Sequence, residues 1–164
     1  MNELLLTHRV RRVTGVISTD DILPAIYKHA SSDPKVLASH LFEYKYPGFA
    51  KSIEPGDIIV TNQLFGTGSS REQAVSALSA SGISAVIAPC FGRIFYRNAW
   101  NLGLIALEIK ADQLLEHMVI RLSLEEATLT SDEFTLHFSP VAPEMIDVIR
   151  CGGLLQSIKR TYAE

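Results

Sequence analysis

Residues 65–78, FGTGSSREQAVSAL, connect a short apolar strand to a helix and determine much of the predicted fold. The strand before them, residues 58–61, follows a Pro-Gly turn and is rich in β-branched side chains. After the glycines, apolar residues recur at helical spacing, which predicts a helix from about residue 70 to residue 81. Its predicted buried face consists of Ala74, Val75, Ala77 and Leu78, and Gly82 ends it.

The alternation of strand and helix continues beyond this helix. Residues 83–88, ISAVIA, have the continuous apolar character of a strand buried on both faces. Residues 93–103, RIFYRNAWNLG, predict a helix that ends at Gly103, and residues 104–109, LIALEI, predict another buried strand. Alternating strands and helices of this kind favour a parallel sheet with right-handed crossovers.

The segments on either side complete the predicted α/β domain. Residues 7–15 alternate as a strand, and residues 16–25 are expected to form a loop. A helix is predicted from Pro34, capped by Asp33, to about Tyr44. After residue 111 we expect a small helix over 111–118. Short strands are expected over 119–124, 127–130 and 134–138, and short helices over 142–150 and 154–162. The predicted fold is one domain over residues 1–164, with a partly parallel central sheet and short antiparallel strands.

Composition limits the classes of partner. The chain has 164 residues, a net charge of −3 and a pI near 5.9, so no general attraction to nucleic acid or to an anionic membrane is expected. Any bound anion must therefore be held by a local site. The apolar run in residues 4–6 is too short for a signal peptide, and no stretch reaches the length of a membrane span. We expect a cytoplasmic protein.

Cysteine usage gives no sign of a metal centre in this chain. Cys90 and Cys151 are the only two cysteines, and they lie far apart in no CxxC arrangement. This spacing argues against a disulfide framework, a zinc site or a self-contained iron–sulfur site. The five histidines show no ligand spacing either. No metal is expected to be bound by this chain.

The glycine loop has the chemistry of an anion site. The first amides of a helix lack intrahelical partners and carry partial positive charge. Gly66 and Gly68 leave the backbone open to a ligand, because they have no Cβ atom. Ser69 and Ser70 add hydroxyl donors, and Arg71 adds a planar fork that suits a carboxylate or phosphate. A P-loop is not indicated, because no Gly-Lys-Ser/Thr follows the glycines.

A purely structural interpretation of the same loop is also open. Ser69 and Glu72 have the spacing of a capping box, in which each side chain satisfies an amide at the helix start. Such a box needs no ligand. The residues alone therefore leave an anion site and a helix cap as alternatives.

Other polar residues each allow two interpretations. Asp20 and Asp21 could bind a metal, or form a solvated turn. Arg93 and Arg97 lie four residues apart on one helix face, where they could reach a substrate or pair with a carboxylate of the domain. Lys28 and His29 follow a proline turn and could line a pocket entrance. The candidate substrate-binding residues are therefore Gly68, Ser70, Arg71, Lys28 and His29.

Several motifs together resemble a known family. They are STDDILPA, EPGDIIV, FGTGSSRE, GISAVIAPCFGRIFYRNAWNLGL and the closing GGLL. In order and spacing, over about residues 13–158, they are similar to the small subunits of 3-isopropylmalate dehydratases, which are equivalent to the swivel domain of aconitase. The resemblance implies a swivelling β/β/α fold docked on a separate large subunit that carries a [4Fe–4S] cluster. The implied reaction removes water from a small hydroxy-dicarboxylic acid and adds it back at the neighbouring carbon.

The resemblance also implies roles for the glycine-loop residues. Ser69 would be the base that removes the carbon-bound proton, and Ser70, largely through its amide, would hold a substrate carboxylate together with Arg71. This role conflicts with a capping box, because it needs the Ser69 hydroxyl free. We favour the catalytic role. An alkoxide is intrinsically unfavourable, so the site would need preorganised amides and exclusion of water.

Departures from the family pattern bear on the substrate. The family commonly has a basic residue followed by Tyr-Leu or Phe-Leu after the proline, whereas this chain has Ile-Tyr-Lys-His at residues 26–29. Lys28 and His29 could favour a polar or acidic substituent over an isopropyl group. Gly92 replaces a usual alanine, and Gln73 a usual histidine. The alternatives are a homocitrate-, citrate- or alkylmalate-like substrate, and a non-catalytic anion-binding module.

Overall fold

A seven-stranded sheet organises residues 7–163, the part of the chain that this computed structural model describes. The apolar run of residues 4–6 lies outside that part. The strands of the sheet are β1 Thr7–Arg12, β3 Ile58–Val60, β5 Ala85–Ala88, β6 Ile105–Glu108, β7 Val119–Ser123, β8 Thr128–Thr130 and β9 Thr135–His137. A second, two-stranded sheet consists of β2 Ile17–Ser18 and β4 Phe65–Thr67.

The strand order of the large sheet is β6-β5-β3-β1-β7-β8-β9. The four strands β6, β5, β3 and β1 run parallel, with Val10 opposite Ile58 and Ile58 opposite Ala85. The strands β7, β8 and β9 continue the sheet antiparallel to one another, and β7 pairs antiparallel with β1. The predicted combination of a partly parallel sheet with short antiparallel strands is confirmed.

Two helices form crossover connections between the parallel strands. Helix α4, Glu72–Ala80, joins β3 to β5 after the small β4 strand, and helix α5, Arg93–Asn101, joins β5 to β6. All four residues predicted for the apolar face of α4 are completely buried, and Gly82 follows that helix with φ of 98°. The helices are α1 Thr19–Ile22, α2 Pro34–Ala38, α3 Phe49–Ser52, α4 Glu72–Ala80, α5 Arg93–Asn101, α6 Pro143–Arg150 and α7 Leu154–Tyr162, and a 3₁₀ helix spans Ala25–His29.

The predicted helix from residue 34 to residue 44 is shorter than expected. Asp33 caps it as predicted, accepting from the Lys35 N–H at 2.9 Å. The helix ends at Ala38 because the chain then turns to meet another segment: Phe42 has φ of 56°, and its N–H donates to the Ile22 carbonyl at 2.9 Å. Tyr44, the predicted end of this helix, lies beyond it and is 67% exposed.

Two other segments differ from their predictions. Residues 16–25, expected to be a loop, contain β2 and α1. Residues 111–118, expected to be a helix, form turns because their backbone bonds to β1: the His117 N–H donates to the Val10 carbonyl, and the Val10 N–H donates to the Met118 carbonyl, both at 2.8 Å. His117 has φ of 66°, which a helix does not allow.

A buried ion pair ties β1 to the start of β3. Arg9 donates to both carboxylate oxygens of Asp57, at 3.0 and 2.7 Å, and Asp57 is 1% exposed. Burial opposes ionisation of Asp57, but the hydrogen bonds from Arg9 and the Glu54 N–H outweigh it, so the pKa of Asp57 lies below its usual value. The hydrogen bond to Asp57 raises the pKa of Arg9, against the smaller opposing effect of burial.

The small β2–β4 sheet positions the glycine loop. Ile17 lies opposite Phe65 and Ser18 opposite Thr67, while Phe65 also bridges to Phe91 in the segment after β5. The loop therefore lies at the carboxyl ends of β3 and β5. Ligands of open parallel α/β sheets bind at this end of the strands. Within residues 7–163, no helix combines the length and apolar character needed to cross a bilayer.

Candidate functional site

The glycine loop, residues 66–71, packs against the start of α5. Gly66 has φ of 83°, and a Cβ atom there would overlap the Phe95 ring. Gly92, which precedes α5, donates its N–H to the Phe65 carbonyl at 2.8 Å. Gly68 has φ of 95°, a conformation that side-chain-bearing residues rarely adopt. The two loop glycines thus allow a turn that other residues would strain.

The hydroxyl groups of the loop face outward. Gly68, Ser69 and Ser70 are exposed, and the two serine hydroxyls form no hydrogen bond with any residue from 7 to 163. The alternative interpretation, a capping box at Ser69 and Glu72, is not supported, because α4 begins at Glu72 and its N-cap is Arg71, which makes no side-chain cap bond. The serine hydroxyls are therefore available to a ligand.

A capping box occurs instead at α1, directly beside the loop. The Ser18 hydroxyl accepts from the Asp21 N–H at 3.0 Å, and an Asp21 carboxylate oxygen accepts from the Ser18 N–H at 2.8 Å. The spacing Ser18-x-x-Asp21 carries the sequence signal for this box, with aspartate in the place of glutamate. Asp21 thus has a structural partner on its own helix, and Lys45 Nζ lies 3.8 Å from its carboxylate.

The segment from Thr19 to Leu23 contacts the loop at three points. The buried Thr19 hydroxyl donates to the Ser69 carbonyl at 3.0 Å. Arg71 Nη1 donates to the Leu23 carbonyl at 3.1 Å and lies 2.5 Å from an Asp20 carboxylate oxygen. Sequence reasoning missed these contacts, because they join residues about 50 positions apart.

Arg71 is held while part of its guanidinium stays available. Its side chain is 11% exposed, and both contacts to the segment Thr19–Leu23 use Nη1. Among residues 7–163, neither Nε nor Nη2 has a hydrogen-bond partner. The edge of a guanidinium that is formed by Nε and Nη2 can donate two parallel hydrogen bonds to a carboxylate.

The two acidic residues of this segment do not assemble a metal site. Asp20 pairs with Arg71, and Asp21 caps α1. Across residues 7–163, no group of three or more His, Cys, Asp or Glu side chains is arranged to hold a metal ion. Both carboxylates instead organise the loop and its supporting helix.

Lys28 and His29 lie in the 3₁₀ helix that begins two residues after Leu23. Both are exposed, and within the described residues neither forms a hydrogen bond or an ion pair with the glycine loop. Tyr27 anchors this helix by stacking on His40 with 3.7 Å between ring centroids. A hydrogen bond with Glu43, supported by desolvation, raises the pKa of Tyr27 to about 12. The structure thus places Lys28 and His29 near the segment that binds Arg71, but not on the loop.

Helix α5 adds a cationic and apolar surface next to the loop. Arg93 and Arg97 are both exposed, and neither pairs with a carboxylate in the described part of the chain, so the expected pairing within the domain is not found. Ile94, between them, is 48% exposed. Because Gly92 contacts Gly66, these side chains project from a helix that starts at the loop.

Val16 and Ile26 are exposed apolar residues on two other elements near the loop. They are 48% and 65% exposed. Val16 directly precedes β2, the strand that pairs with β4, and Ile26 lies in the 3₁₀ helix after Leu23. The loop is therefore part of an open face with apolar residues on several of its neighbouring elements.

Comparisons with known proteins agree on one family. The family model of the aconitase C-terminal domain matches residues 32–112. A 3-isopropylmalate dehydratase small subunit from Wolinella succinogenes is 43% identical over 152 residues, covering 90% of each chain. Another from Nautilia profundicola is 40% identical over 165 residues, covering 98% of each chain. A crystal structure of a 3-isopropylmalate dehydratase from Methanocaldococcus jannaschii superposes with a TM-score of 0.89 at 34% identity, covering 97% of this chain and 96% of that chain.

Proposed function

Because this chain belongs to the family of 3-isopropylmalate dehydratase small subunits, we propose that it is the small subunit of a hydro-lyase of leucine biosynthesis. The enzyme interconverts 2-isopropylmalate and 3-isopropylmalate by dehydration and rehydration. One observation carries this proposal at the level of the site: within residues 7–163, the exposed Ser69 hydroxyl and the Nε and Nη2 atoms of Arg71, two residues later on the same glycine loop, have no hydrogen-bond partner.

Arg71 and Ser70 bind and orient the substrate in this proposal. The Nε and Nη2 edge of Arg71 takes one carboxylate of the substrate through two hydrogen bonds, and the Ser70 N–H donates to the same group. Gly68 lets the substrate approach the backbone, since no Cβ atom stands in the way. The carbon that bears the proton is thereby held next to the Ser69 hydroxyl.

Ser69 moves the proton. Its oxygen, as the alkoxide, takes the proton from the substrate carbon while the hydroxyl on the neighbouring carbon leaves. A general acid of the large subunit would give that hydroxyl the second proton with which it departs as water, and the product is a cis-alkene. Readdition of water with the opposite regiochemistry places the hydroxyl on the carbon that lost the proton, and Ser69 gives its proton to the carbon that lost the hydroxyl. The alkoxide requires fixed dipoles and little bulk water around it. Ser69 is exposed in the isolated chain, so a second polypeptide has to cover it.

A large subunit is the polypeptide that covers this face. The proposed contact surface, which we call the loop face, consists of Val16, Ile26, Arg93, Ile94 and Arg97 around the glycine loop. A [4Fe–4S] cluster takes three or four cysteine ligands, whereas this chain has two cysteines far apart in sequence. The cluster, which would polarise the leaving hydroxyl as a Lewis acid, is therefore assigned to the large subunit.

Lys28 and His29 support a second candidate substrate class. Both are exposed cationic or potentially cationic groups on the helix that follows the Arg71-binding segment. They would favour a substituent with a further carboxylate, as in homocitrate- or citrate-like acids, over an isopropyl group. The surrounding machinery, with Ser69 as the base, would be the same.

The experiment is reconstitution with the large subunit of the same organism. We expect the two chains to copurify, the small subunit alone to be inactive, and the complex to turn over 2-isopropylmalate faster than citrate, homocitrate or other alkylmalates. A preference for a tricarboxylic acid would favour the second class. If the two chains do not copurify and none of these acids is turned over, the alternative that this chain is a non-catalytic anion-binding module is favoured.

A further inference from the structure

We propose that Thr19 is a positioning residue that aims the Ser70 N–H at the substrate carboxylate by holding the Ser69 carbonyl. The contact itself is a property of the small subunit alone, and its consequence for turnover rests on the proposed function. Thr19 and Ser69 lie 50 residues apart in sequence, and the Thr19 hydroxyl oxygen is 3.0 Å from the Ser69 carbonyl oxygen.

The peptide between Ser69 and Ser70 transmits this contact. A trans peptide is planar, and its C=O and N–H point in opposite directions. All peptide bonds of residues 7–163 are trans. Once Thr19 fixes the direction of the Ser69 carbonyl, the direction of the Ser70 N–H is fixed as well, away from Thr19. The Ser69 backbone, which carries the proposed base, is held by the same bond.

Thr19 is well suited to this role. It is 2% exposed, so its rotamer is restricted by packing and its hydroxyl competes little with water. The N-terminus of α1 does not need the Thr19 hydroxyl, because Ser18 and Asp21 form the capping box. Gly68 lies next to Thr19: a Cβ atom there would be 3.5 Å from the Thr19 hydroxyl oxygen, an ordinary van der Waals contact, so glycine is needed for its φ of 95° and not for space. The Thr19 hydroxyl thus has one observed hydrogen-bond partner, the loop.

The first test measures the loop in the isolated small subunit. Thr19→Val keeps the shape of the side chain and removes the donor, whereas Thr19→Ser keeps the donor. We expect the ¹⁵N order parameter of Ser70 to fall in Thr19→Val from about 0.85 towards 0.6, and to stay near the wild-type value in Thr19→Ser. An unchanged Ser70 order parameter in Thr19→Val would overturn the proposal.

Thr61→Val is the matched control. The buried Thr61 hydroxyl likewise donates to a loop carbonyl, that of Gly15 at 3.2 Å, but it does not contact the glycine loop. Both valine variants are expected to lower the unfolding midpoint. Only Thr19→Val is expected to lower the Ser70 order parameter. If both variants lowered it equally, the cause would be a general loss of stability, and the proposal would be overturned.

The second test uses the complex with the large subunit. We expect Thr19→Val to lower kcat/KM by about 10- to 100-fold, the range for a small misplacement of a binding group, with Thr19→Ser close to wild type. Wild-type kcat/KM in Thr19→Val would overturn the role in turnover. If the wild-type complex is inert towards every hydroxy acid, the proposed function fails, while the Ser70 order parameter still decides the positioning contact.

Discussion

Gly92 and Gly66 are packed backbone against backbone, so that a Cβ atom on residue 92 would overlap the Gly66 carbonyl oxygen. The Gly92 backbone itself has φ of −58° and ψ of 131°, which alanine adopts freely. The need for glycine at this position is therefore steric and local. It comes from the close approach of the glycine loop.

The first prediction concerns this contact. Gly92→Ala should displace Gly66 and with it the loop, because the new methyl group and the carbonyl cannot occupy the same space. We expect a loss of about 1–3 kcal/mol in the free energy of unfolding, and a lower kcat/KM in the complex. Urea unfolding and steady-state rates measure the two effects. Unchanged values of both would show that the loop accommodates a side chain here.

The central elements could be predicted from sequence because their signals are local. The buried strands β3, β5 and β6 are short apolar runs, and every residue of β3 and β5 is buried. The four residues predicted for the apolar face of helix α4 lie at helical spacing, and all four are buried. In each case the periodicity of neighbouring residues matches the element that packing then stabilises.

The elements that were mispredicted depend on contacts between distant segments. The helix at Pro34 stops early because Phe42 bonds to Ile22, and residues 111–118 do not form a helix because their backbone bonds to Val10. The same holds at the site. The resemblance identified the loop, but the support that Thr19 gives to Ser69 depends on a β2–β4 pairing that no local pattern reveals.

The second prediction separates the two serines of the loop. Ser69→Ala removes the proposed base and should lower kcat by at least about 100-fold. Ser70→Ala keeps the backbone N–H, through which Ser70 is proposed to act, so its kcat should fall by less than about 10-fold. Steady-state rates of the complexes test this, with copurification as the control for assembly. Equal losses in the two variants would argue against Ser69 as the base.

The third prediction tests the guanidinium edge of Arg71. Arg71→Lys keeps the charge but replaces the planar fork, and an ammonium cannot make two parallel bonds to a carboxylate. Loss of a hydrogen bond to a charged group costs about 1.5–3 kcal/mol, so KM should rise by about 10- to 100-fold. Substrate titration of the reconstituted enzyme measures it. Arg93→Lys, on the neighbouring helix, is the control and should leave KM within about threefold. A wild-type KM in Arg71→Lys would remove this arginine from substrate binding.

The fourth prediction distinguishes two exposed apolar surfaces. Ile94 belongs to the loop face, while Leu155 lies on α7 with Leu154, Ile158 and Tyr162, all exposed. If the large subunit covers the loop face, Ile94→Asp should weaken its binding by about 10-fold or more, because burying an unpaired carboxylate is costly. Leu155→Asp should leave that affinity unchanged. The dissociation constant of the two subunits, measured by titration calorimetry, decides between the surfaces, and the reverse pattern would move the interface to α7.

The fifth prediction concerns the pH dependence of stability. The folded-state pKa of Asp57 is lowered, so its ionised form stabilises the fold fully above its usual pKa of 3.8, and this contribution is lost as the pH falls through the folded-state pKa. Asp57→Asn leaves the Arg9 guanidinium without its buried partner. We expect a loss of about 3 kcal/mol in the free energy of unfolding at pH 7.

The difference between wild type and Asp57→Asn should shrink as the pH is lowered below 3.8, since Asp57 of the unfolded chain then becomes protonated and Asp57 of the folded chain follows at its lower pKa. Asp147→Asn is the matched control: Asp147 pairs with Arg150 on an exposed helix surface, so its loss should cost within about 0.5 kcal/mol at any pH. Urea unfolding of the three proteins between pH 7 and pH 3 measures these differences. A constant gap between wild type and Asp57→Asn across that range would mean that the stabilisation comes from packing around residue 57, because only a contribution from the ionised carboxylate titrates away.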